Sequence, residues 1–233
     1  MSHFLVTLAL LPALIIQGKY VRKKTPKLPE PIGERILDTH KDPLLNVLIL
    51  GDSAAAGVGV SYQSDGLLGQ LKSSTNTAKV NYTLMASTGA TTKDTLNTLS
   101  NLAQEQYHVV ITSLGVNDVT KGLSRNKFRQ QQAALYQDII NRFKPRLIIA
   151  THIPPMHKFP ALPQPLRWYV GRRAKQLNQD LLNISRQFDC VKTLAIELPE
   201  TPELMAKDGF HPGKPVYQEW AENAAKLIDA IQA

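Results

Sequence analysis

The chain of 233 residues has only one cysteine, Cys190, so it cannot form an internal disulfide. Its fold therefore does not depend on an oxidising compartment, and we expect Cys190 to be a small buried apolar side chain. The histidines and this cysteine do not have the spacing of a metal site, and Gly57-Val58-Gly59 lacks the third glycine of a dinucleotide-binding fingerprint. We predict that the protein binds no metal ion and needs no cofactor.

Long apolar runs are also lacking. The charge-free stretch Phe4–Ile16 has 13 residues, whereas a helix needs roughly 20 apolar residues to cross a bilayer. It has the length of a signal-peptide core, but no basic residue precedes it and no clear cleavage site follows it. Three interpretations stay open: an uncleaved anchor or interfacial helix, an export signal, and a helix packed on the domain.

Negative charge is missing from the region that follows this apolar stretch. The chain has 27 basic and 19 acidic residues, and residues 19–27 contain five of the basic ones and no acidic one: Lys19, Arg22, Lys23, Lys24 and Lys27. A basic cluster beside an apolar segment is typical of contact with an anionic membrane surface, so residues 4–27 predict a membrane contact. The positive-inside rule then favours membrane association at the cytoplasmic face. The alternative location is exported or periplasmic. Nucleic acid is not expected as a partner, because the rest of the chain does not interleave aromatic and basic residues.

The lengths of its segments and the positions of its prolines divide the chain into three parts. Residues 1–18 form an apolar membrane-associating or signal-like segment, and residues 19–44 read as a basic, proline-containing linker. Residues 45–233 are long enough for one large domain with a sizeable core.

Within this domain, apolar segments typical of buried strands alternate with segments that have helical periodicity. Alternation of this kind predicts an α/β fold with three α/β/α layers and about five parallel strands covered on both faces. The predicted strands are 46–50, 80–86, 108–114, 146–151 and 191–196. The predicted helices are 62–74, 91–106, 124–143, 166–188 and 214–231.

Small or polar residues follow the first three predicted strands: Ser53, Gly89 and Asn117. The carboxyl ends of parallel strands are where open α/β sheets bind ligands, so these residues are expected to meet at one edge. Each alone has an ordinary explanation, namely a turn, a residue with positive φ and a helix cap. A serine becomes a useful nucleophile only beside a base, and His211 in Asp208-Gly209-Phe210-His211-Pro212 is the candidate.

Taken together and in this order, four motifs resemble those of the SGNH hydrolases, also called the GDSL esterase/lipase family. The motifs are Gly51-Asp52-Ser53, Gly89, Gly115-Val116-Asn117-Asp118 and Asp208-Gly209-Phe210-His211-Pro212. The resemblance implies a flavodoxin-like SGNH fold in which Ser53 is the nucleophile, His211 the general base and Asp208 the group that orients it. It also implies an oxyanion hole made of the backbone N–H groups of Ser53 and Gly89 and the side chain of Asn117. Asp52 and Asp118 are expected to make turn and capping hydrogen bonds.

The resemblance implies a serine esterase that hydrolyses carboxylic esters through an acyl-enzyme, without a cofactor. We expect a substrate with a small or lipid-derived acyl group, including lysophospholipase-like activity. Two alternatives remain: a carbohydrate or cell-envelope O-acetyl esterase, and a non-catalytic binding module on the same fold. The segment Met156–Val170 is interpreted either as one wall of an acyl pocket or as a loop packed on the core.

Overall fold

A central sheet organises the protein in a computed structural model that describes residues 2–99, 106–198 and 201–231. Within these ranges the sheet has six strands, in the order β1-β3-β2-β4-β5-β6. Five strands are parallel, and β1 pairs with β3 in the antiparallel direction. The strands are β1 (Ile36–Leu37), β2 (Leu45–Gly51), β3 (Val80–Ala86), β4 (Val109–Ser113), β5 (Leu147–Thr151) and β6 (Val191–Leu194).

The inner strands are apolar on both faces because helices cover the sheet on both sides. Along β2, Leu48 and Leu50 belong to one core cluster, whereas Val47 and Ile49 belong to the other. Successive side chains of a strand point to opposite faces, so an uninterrupted apolar run fills two cores at once.

The helices form the two outer layers. The described helices are α1 (Ser2–Lys24), α2 (Leu67–Ser74), α3 (Thr92–Leu99), α4 (Val116–Thr120), α5 (Arg125–Phe143), α6 (Leu166–Ser185) and α7 (Lys214–Asp229). Buried residues of α3, α5 and α6 pack on one face of the sheet, and those of α2 and α7 pack on the other. The predicted three-layer α/β/α fold is confirmed.

The predicted elements differ from the observed ones mainly at their ends. The helix predicted from Tyr62 begins at Leu67, because residues 63–65 form a short 3-10 turn and Gly66 is extended. Ser124 caps α5 as predicted, since its hydroxyl accepts a hydrogen bond from the N–H of Lys127. The end of the helix predicted over 91–106, including Leu102 and Ala103, lies outside the described residues.

The N-terminal helix α1 continues past residue 18 to Lys24 and is attached to the domain near the start of α6. Leu14 is buried, and the Gln17 side chain donates to the carbonyl of Gln164 (2.7 Å) and accepts from the N–H of Leu166 (3.0 Å). Most other apolar side chains described in α1 are exposed. Within the described ranges, no helix combines the length and the apolar character needed to cross a membrane. The segment predicted as a linker contributes the edge strand β1.

Candidate active site

The carboxyl ends of three adjacent strands bring the predicted site residues to one edge of the sheet. Gly51, the last residue of β2, is in register with Ala86 at the end of β3 and with Ser113 at the end of β4. The residues that follow these strands, including Ser53 and Asn117, therefore start from neighbouring positions. This parallel register is the reason that the polar residues after these strands come close together, as expected.

Ser53, His211 and Asp208 form a continuous chain of hydrogen bonds. The Nε2 atom of His211 lies 2.8 Å from the Oγ of Ser53, and its Nδ1 lies 2.6 Å from an Asp208 carboxylate oxygen. In the neutral imidazole with the proton on Nδ1, Nδ1–H donates to Asp208 and Nε2 accepts from the Ser53 hydroxyl. This arrangement allows His211 to remove the serine proton.

Local turn geometry holds the carboxylate of Asp208 in place. Its other oxygen accepts from the backbone N–H groups of Phe210 and His211, each at 3.0 Å. Burial by itself would raise the pKa of Asp208, but the hydrogen bonds from the His211 ring and from the two N–H groups outweigh it and lower the pKa. Asp208 is thus a buried carboxylate that stays ionised beside the imidazole.

The loop that carries His211 is in direct contact with the turn that carries Ser53. Gly59 has φ +117°, and a Cβ atom at this position would lie 2.2 Å from the carbonyl oxygen of Pro212. Only glycine fits there, since it tolerates positive φ and leaves room for the second backbone. The hydroxyl of Tyr217 in α7 donates to the carbonyl of Val58 at 2.7 Å and ties the same turn to the final helix.

Gly89 lies in the turn after β3, and Asn117 lies in the first turn of α4, just after β4. Gly89 has φ +84°. The Asn117 Nδ2 donates to the carbonyl of Ala90 at 3.0 Å and lies 3.4 Å from an Asp52 carboxylate oxygen. These contacts orient the Asn117 amide between the turn after β2 and the turn after β3.

Two buried carboxylates support these loops. Asp52 accepts from the N–H of Ala54 at 3.0 Å, and burial raises its pKa to about 6. Asp118 accepts from the hydroxyl (2.7 Å) and the N–H (3.3 Å) of Thr92, the first residue of α3, and burial raises its pKa. Asp52 makes the turn hydrogen bond that was predicted, and the carboxylate of Asp118 binds the start of a neighbouring helix.

A small cavity opens beside Ser53 and His211. Its volume is about 40 Å³, and its walls are mainly apolar. The apolar residues around it include Ile153, Phe159, Ile196, Leu198, Met205 and Phe210. The segment Met156–Val170 fits both interpretations in part, because Phe159 lines the cavity while Met156 and Leu162 are buried in the core. Ile196, Leu198 and Met205 were not predicted as wall residues, since no sequence motif marks them.

The fold and this edge of the sheet define a three-layer α/β hydrolase. The model of the GDSL-like lipase/acylhydrolase family matches residues 49–219, and the chain belongs to this family. The SGNH resemblance is thereby confirmed, and the protein is a hydrolase acting on ester bonds.

Solved structures with the same fold have low sequence identity to the chain. They include the esterase EstA from Pseudoalteromonas sp., with 21% identity, a TM-score of 0.58, and coverage of 80% of this chain and 97% of that chain. The lipase/acylhydrolase from Enterococcus faecalis has 19% identity, a TM-score of 0.62, and coverage of 81% and 97%. A family two carbohydrate esterase from Clostridium thermocellum has 14% identity, a TM-score of 0.65, and coverage of 83% and 66%. No curated protein sequence matches the chain significantly.

Proposed function

We propose that the protein is a serine carboxylic ester hydrolase in which Ser53 is the nucleophile, His211 the general base and Asp208 the residue that orients it. The observation that carries this proposal is the hydrogen-bond chain from Ser53 Oγ through His211 to Asp208, with links of 2.8 Å and 2.6 Å. Nucleophile, base and orienting carboxylate are the three parts that serine acyl transfer requires.

The reaction proceeds in two halves. His211 Nε2 takes the proton of Ser53 as Oγ attacks the ester carbonyl carbon, and the same proton then goes to the departing alkoxide, which leaves as an alcohol. In the second half His211 removes a proton from water, which attacks the acyl-Ser53 ester, and then returns a proton to Oγ as the carboxylic acid departs. Asp208 remains ionised and stabilises the imidazolium that forms in each half.

The tetrahedral intermediate carries an oxyanion that needs hydrogen-bond donors. We assign these to the N–H groups of Ser53 and Gly89 and to the Nδ2 of Asn117. One N–H of the Asn117 amide donates to the carbonyl of Ala90 at 3.0 Å, and we assign the oxyanion to the other N–H, whose present acceptor is the Asp52 carboxylate at the longer distance of 3.4 Å. In acyl-transfer enzymes, loss of one such donor typically costs about 10²–10³ in kcat.

The cavity beside Ser53 favours a short acyl group. Its volume of about 40 Å³ exceeds the roughly 10–15 Å³ that a single water needs, but it is small beside the roughly 300–1,000 Å³ of typical ligand pockets. An acetyl or propionyl group fits within this limit, whereas most of a long fatty-acyl chain would lie outside the cavity. Small acyl esters are therefore our first substrate class, ahead of lipid-derived, lysophospholipase-like substrates.

The same cavity supports a carbohydrate or cell-envelope O-acetyl esterase as the second candidate. Acetyl is the acyl group that such enzymes remove, and it fits the volume beside Ser53. The solved structure from Clostridium thermocellum is a family two carbohydrate esterase in complex with cellohexaose, so an esterase directed at carbohydrate occurs on the same fold. A binding module without turnover is the alternative from another class.

Hydrolysis of p-nitrophenyl esters from acetate to palmitate distinguishes these functions. We expect the wild-type protein to hydrolyse the short-chain esters, from acetate through butyrate, fastest. Ser53→Ala should lose this activity while keeping the thermal unfolding midpoint. An optimum at palmitate would favour a lipid substrate. Acetylated oligosaccharides cleaved faster than p-nitrophenyl acetate would favour the O-acetyl esterase. Absence of turnover on every ester would favour the binding module, and equal activity of Ser53→Ala would contradict the proposed nucleophile.

We also propose that α1 docks on an anionic membrane surface. The exposed apolar side chains of this helix are Val6, Leu8, Leu11, Ile15, Ile16 and Tyr20. The cations Lys19, Arg22, Lys23, Lys24 and Lys27 are exposed as well, and the first acidic residue of the chain is Glu30. Apolar burial and about 1 kcal/mol for each cation near anionic lipid both favour this partner.

Vesicle co-sedimentation tests the membrane proposal. Ile16→Asp, at a position 67% exposed, should weaken binding of the full chain to vesicles containing phosphatidylserine. Leu44→Asp, at a position 51% exposed outside the helix, is the matched control and should bind like wild type. Equal vesicle binding by Ile16→Asp and Leu44→Asp would contradict the proposal that α1 contacts the membrane. So would equal binding of the wild-type chain to anionic and neutral vesicles. A concentration-dependent dimer that is lost only in Ile16→Asp would assign this surface to a second copy of the chain.

A further inference from the structure

The segment Glu30–Leu37, here called the strap, lies before the residues that match the family model and crosses two loops of the active site. Between Glu30 and Arg35 it pairs with the residues that follow the turn that carries Ser53. The N–H of Ile32 donates to the carbonyl of Ser61 (3.0 Å), and the carbonyl of Ile32 accepts from the N–H of Gln63 (2.9 Å). The Gln63 side chain in turn donates to the carbonyl of Ala56 at 3.0 Å.

The strap also holds the turn after β3. One carboxylate oxygen of Glu30 accepts from both the N–H (3.0 Å) and the hydroxyl (2.8 Å) of Thr88. The guanidinium of Arg35 donates to the other oxygen of Glu30 at 3.1 Å and to the carbonyl of Ala86. Glu30 and Arg35 thus bridge the residues that directly precede Gly89.

The turn after β3 is closed by the N–H of Ala90, which donates to the carbonyl of Ser87 at 3.1 Å, but the space around Gly89 itself is open. A Cβ atom built on Gly89 would meet no other atom within 4 Å, and the Gly89 carbonyl accepts from the exposed Lys121 side chain at 3.3 Å. The N–H of Gly89 belongs to the rigid peptide plane that begins at the Cα atom of Thr88 and includes its carbonyl group. Any rotation of Thr88 therefore changes the direction in which the Gly89 N–H points. Glu30 opposes such a rotation because it binds Thr88 at two atoms, the backbone N and the hydroxyl oxygen.

We propose that Glu30 is a positioning residue for the oxyanion hole, acting through Thr88 on the N–H of Gly89. Arg35 fixes the Glu30 carboxylate in the orientation that accepts both hydrogen bonds from Thr88. This inference rests on the proposed function, in which the Gly89 N–H is an oxyanion donor. It extends the catalytic apparatus to a segment that no family motif covers.

A positioning role of Glu30 and a structural role predict different effects on kcat and on the free energy of unfolding. The side chains of Arg35 and Glu30 are 36% and 34% exposed, and ion pairs this exposed contribute little to the free energy of unfolding. A misdirected oxyanion donor, in contrast, weakens binding of the transition state more than binding of the substrate. Loss of Glu30 should therefore change kcat much more than stability.

Kinetics of Glu30→Ala, Glu30→Gln and Glu34→Ala test the proposal. Glu34 is an exposed residue of the same segment, and no hydrogen bond or ion pair of its side chain occurs within the described part of the chain, so it is the matched control. We expect Glu30→Ala to lower kcat about tenfold with KM within twofold, a fraction of the loss for a whole donor. Glu30→Gln keeps an acceptor oxygen for Thr88 but presents its NH₂ group to the Arg35 guanidinium, so it should recover only part of kcat, and Glu34→Ala should match wild type.

Amide hydrogen exchange over residues 86–90 gives a readout that does not depend on turnover. Faster exchange of these residues in Glu30→Ala than in Glu34→Ala supports the proposal. Equal exchange and equal kcat in the two variants would overturn it, as would a rise in KM with unchanged kcat. If wild type and Ser53→Ala were equally inactive, the proposed function would fail, and the exchange result alone would decide whether Glu30 holds this turn.

Discussion

Replacement of Asp208 by asparagine should abolish most activity while leaving the loop folded. The asparagine oxygen can still accept from the N–H groups of Phe210 and His211, but its NH₂ group would face Nδ1 of the imidazole. The favoured tautomer then has the proton on Nε2, which cannot accept the proton of Ser53.

The expected size of this effect follows from the lost charge. Two unit charges about 4 Å apart, at an effective dielectric constant of about 20, attract by roughly 4 kcal/mol. Asp208 gives this attraction to the imidazolium of the transition state, and 4 kcal/mol corresponds to about 10³ in rate. With the wrong tautomer included, we expect kcat for p-nitrophenyl acetate to fall by about 10³–10⁴.

Steady-state kinetics and thermal unfolding of Asp208→Asn and Asp138→Asn test this reasoning. Asp138 pairs with Arg142 on the surface of α5, so its variant should keep wild-type kcat. The lowered pKa of Asp208 means that its carboxylate stabilises the fold above its unfolded pKa of about 3.9 and loses this contribution as pH falls through the folded value. The difference in unfolding midpoint between wild type and Asp208→Asn should therefore shrink below pH 4. More than a tenth of wild-type kcat in Asp208→Asn would refute the assignment.

Three further changes test other parts of the structure. Asn117→Ala should lower kcat by about 10²–10³ with little change in KM, and a loss under fivefold in steady-state kinetics would remove Asn117 from the oxyanion hole. Asp52 has a pKa of about 6, above its ordinary 3.8, so its ionisation costs stability as pH rises through this range. Asp52→Asn should raise the unfolding midpoint more at pH 8 than at pH 4, and an equal change at both would contradict this. Asp180 is buried and accepts twice from Arg125 at 2.7 Å, so Asp180→Ala should lower the free energy of unfolding by about 1–3 kcal/mol in urea, against less than about 1 kcal/mol for Asp138→Ala.

The sheet and the position of the site were predictable because their signals are local. A short apolar run such as residues 47–50, followed at once by Gly51 and Asp52, is typical of a strand buried on both faces, and the residues after parallel strands of this kind meet at one edge. The sequence Asp208-Gly209-Phe210-His211 also carries its geometry locally, since a carboxylate three residues before the imidazole reaches it within one turn.

Features that depend on distant contacts could not be predicted in this way. Strand β1 has two residues, too few for any alternation, and it exists because the edge of β3 is open to pairing. Residues 19–44 read as a linker from their prolines and charges, although Glu30 and Arg35 reach the turn after β3. The wall of the cavity combines Phe159 and Met205 from separate loops, and only the folded chain brings them together.

The contact between Gly59 and Pro212 has a consequence for how such a protein can change its substrate. Ser53 and His211 are 158 residues apart in the chain, yet two touching stretches of main chain set the distance between them. Most side chains of the cavity wall, such as Phe159 and Leu198, by contrast, take no part in that contact. Under the proposed function, chemistry and selectivity thus reside in different parts of the polypeptide, and we expect substitutions in the walls to alter which ester is accepted while Ser53 and His211 keep their places.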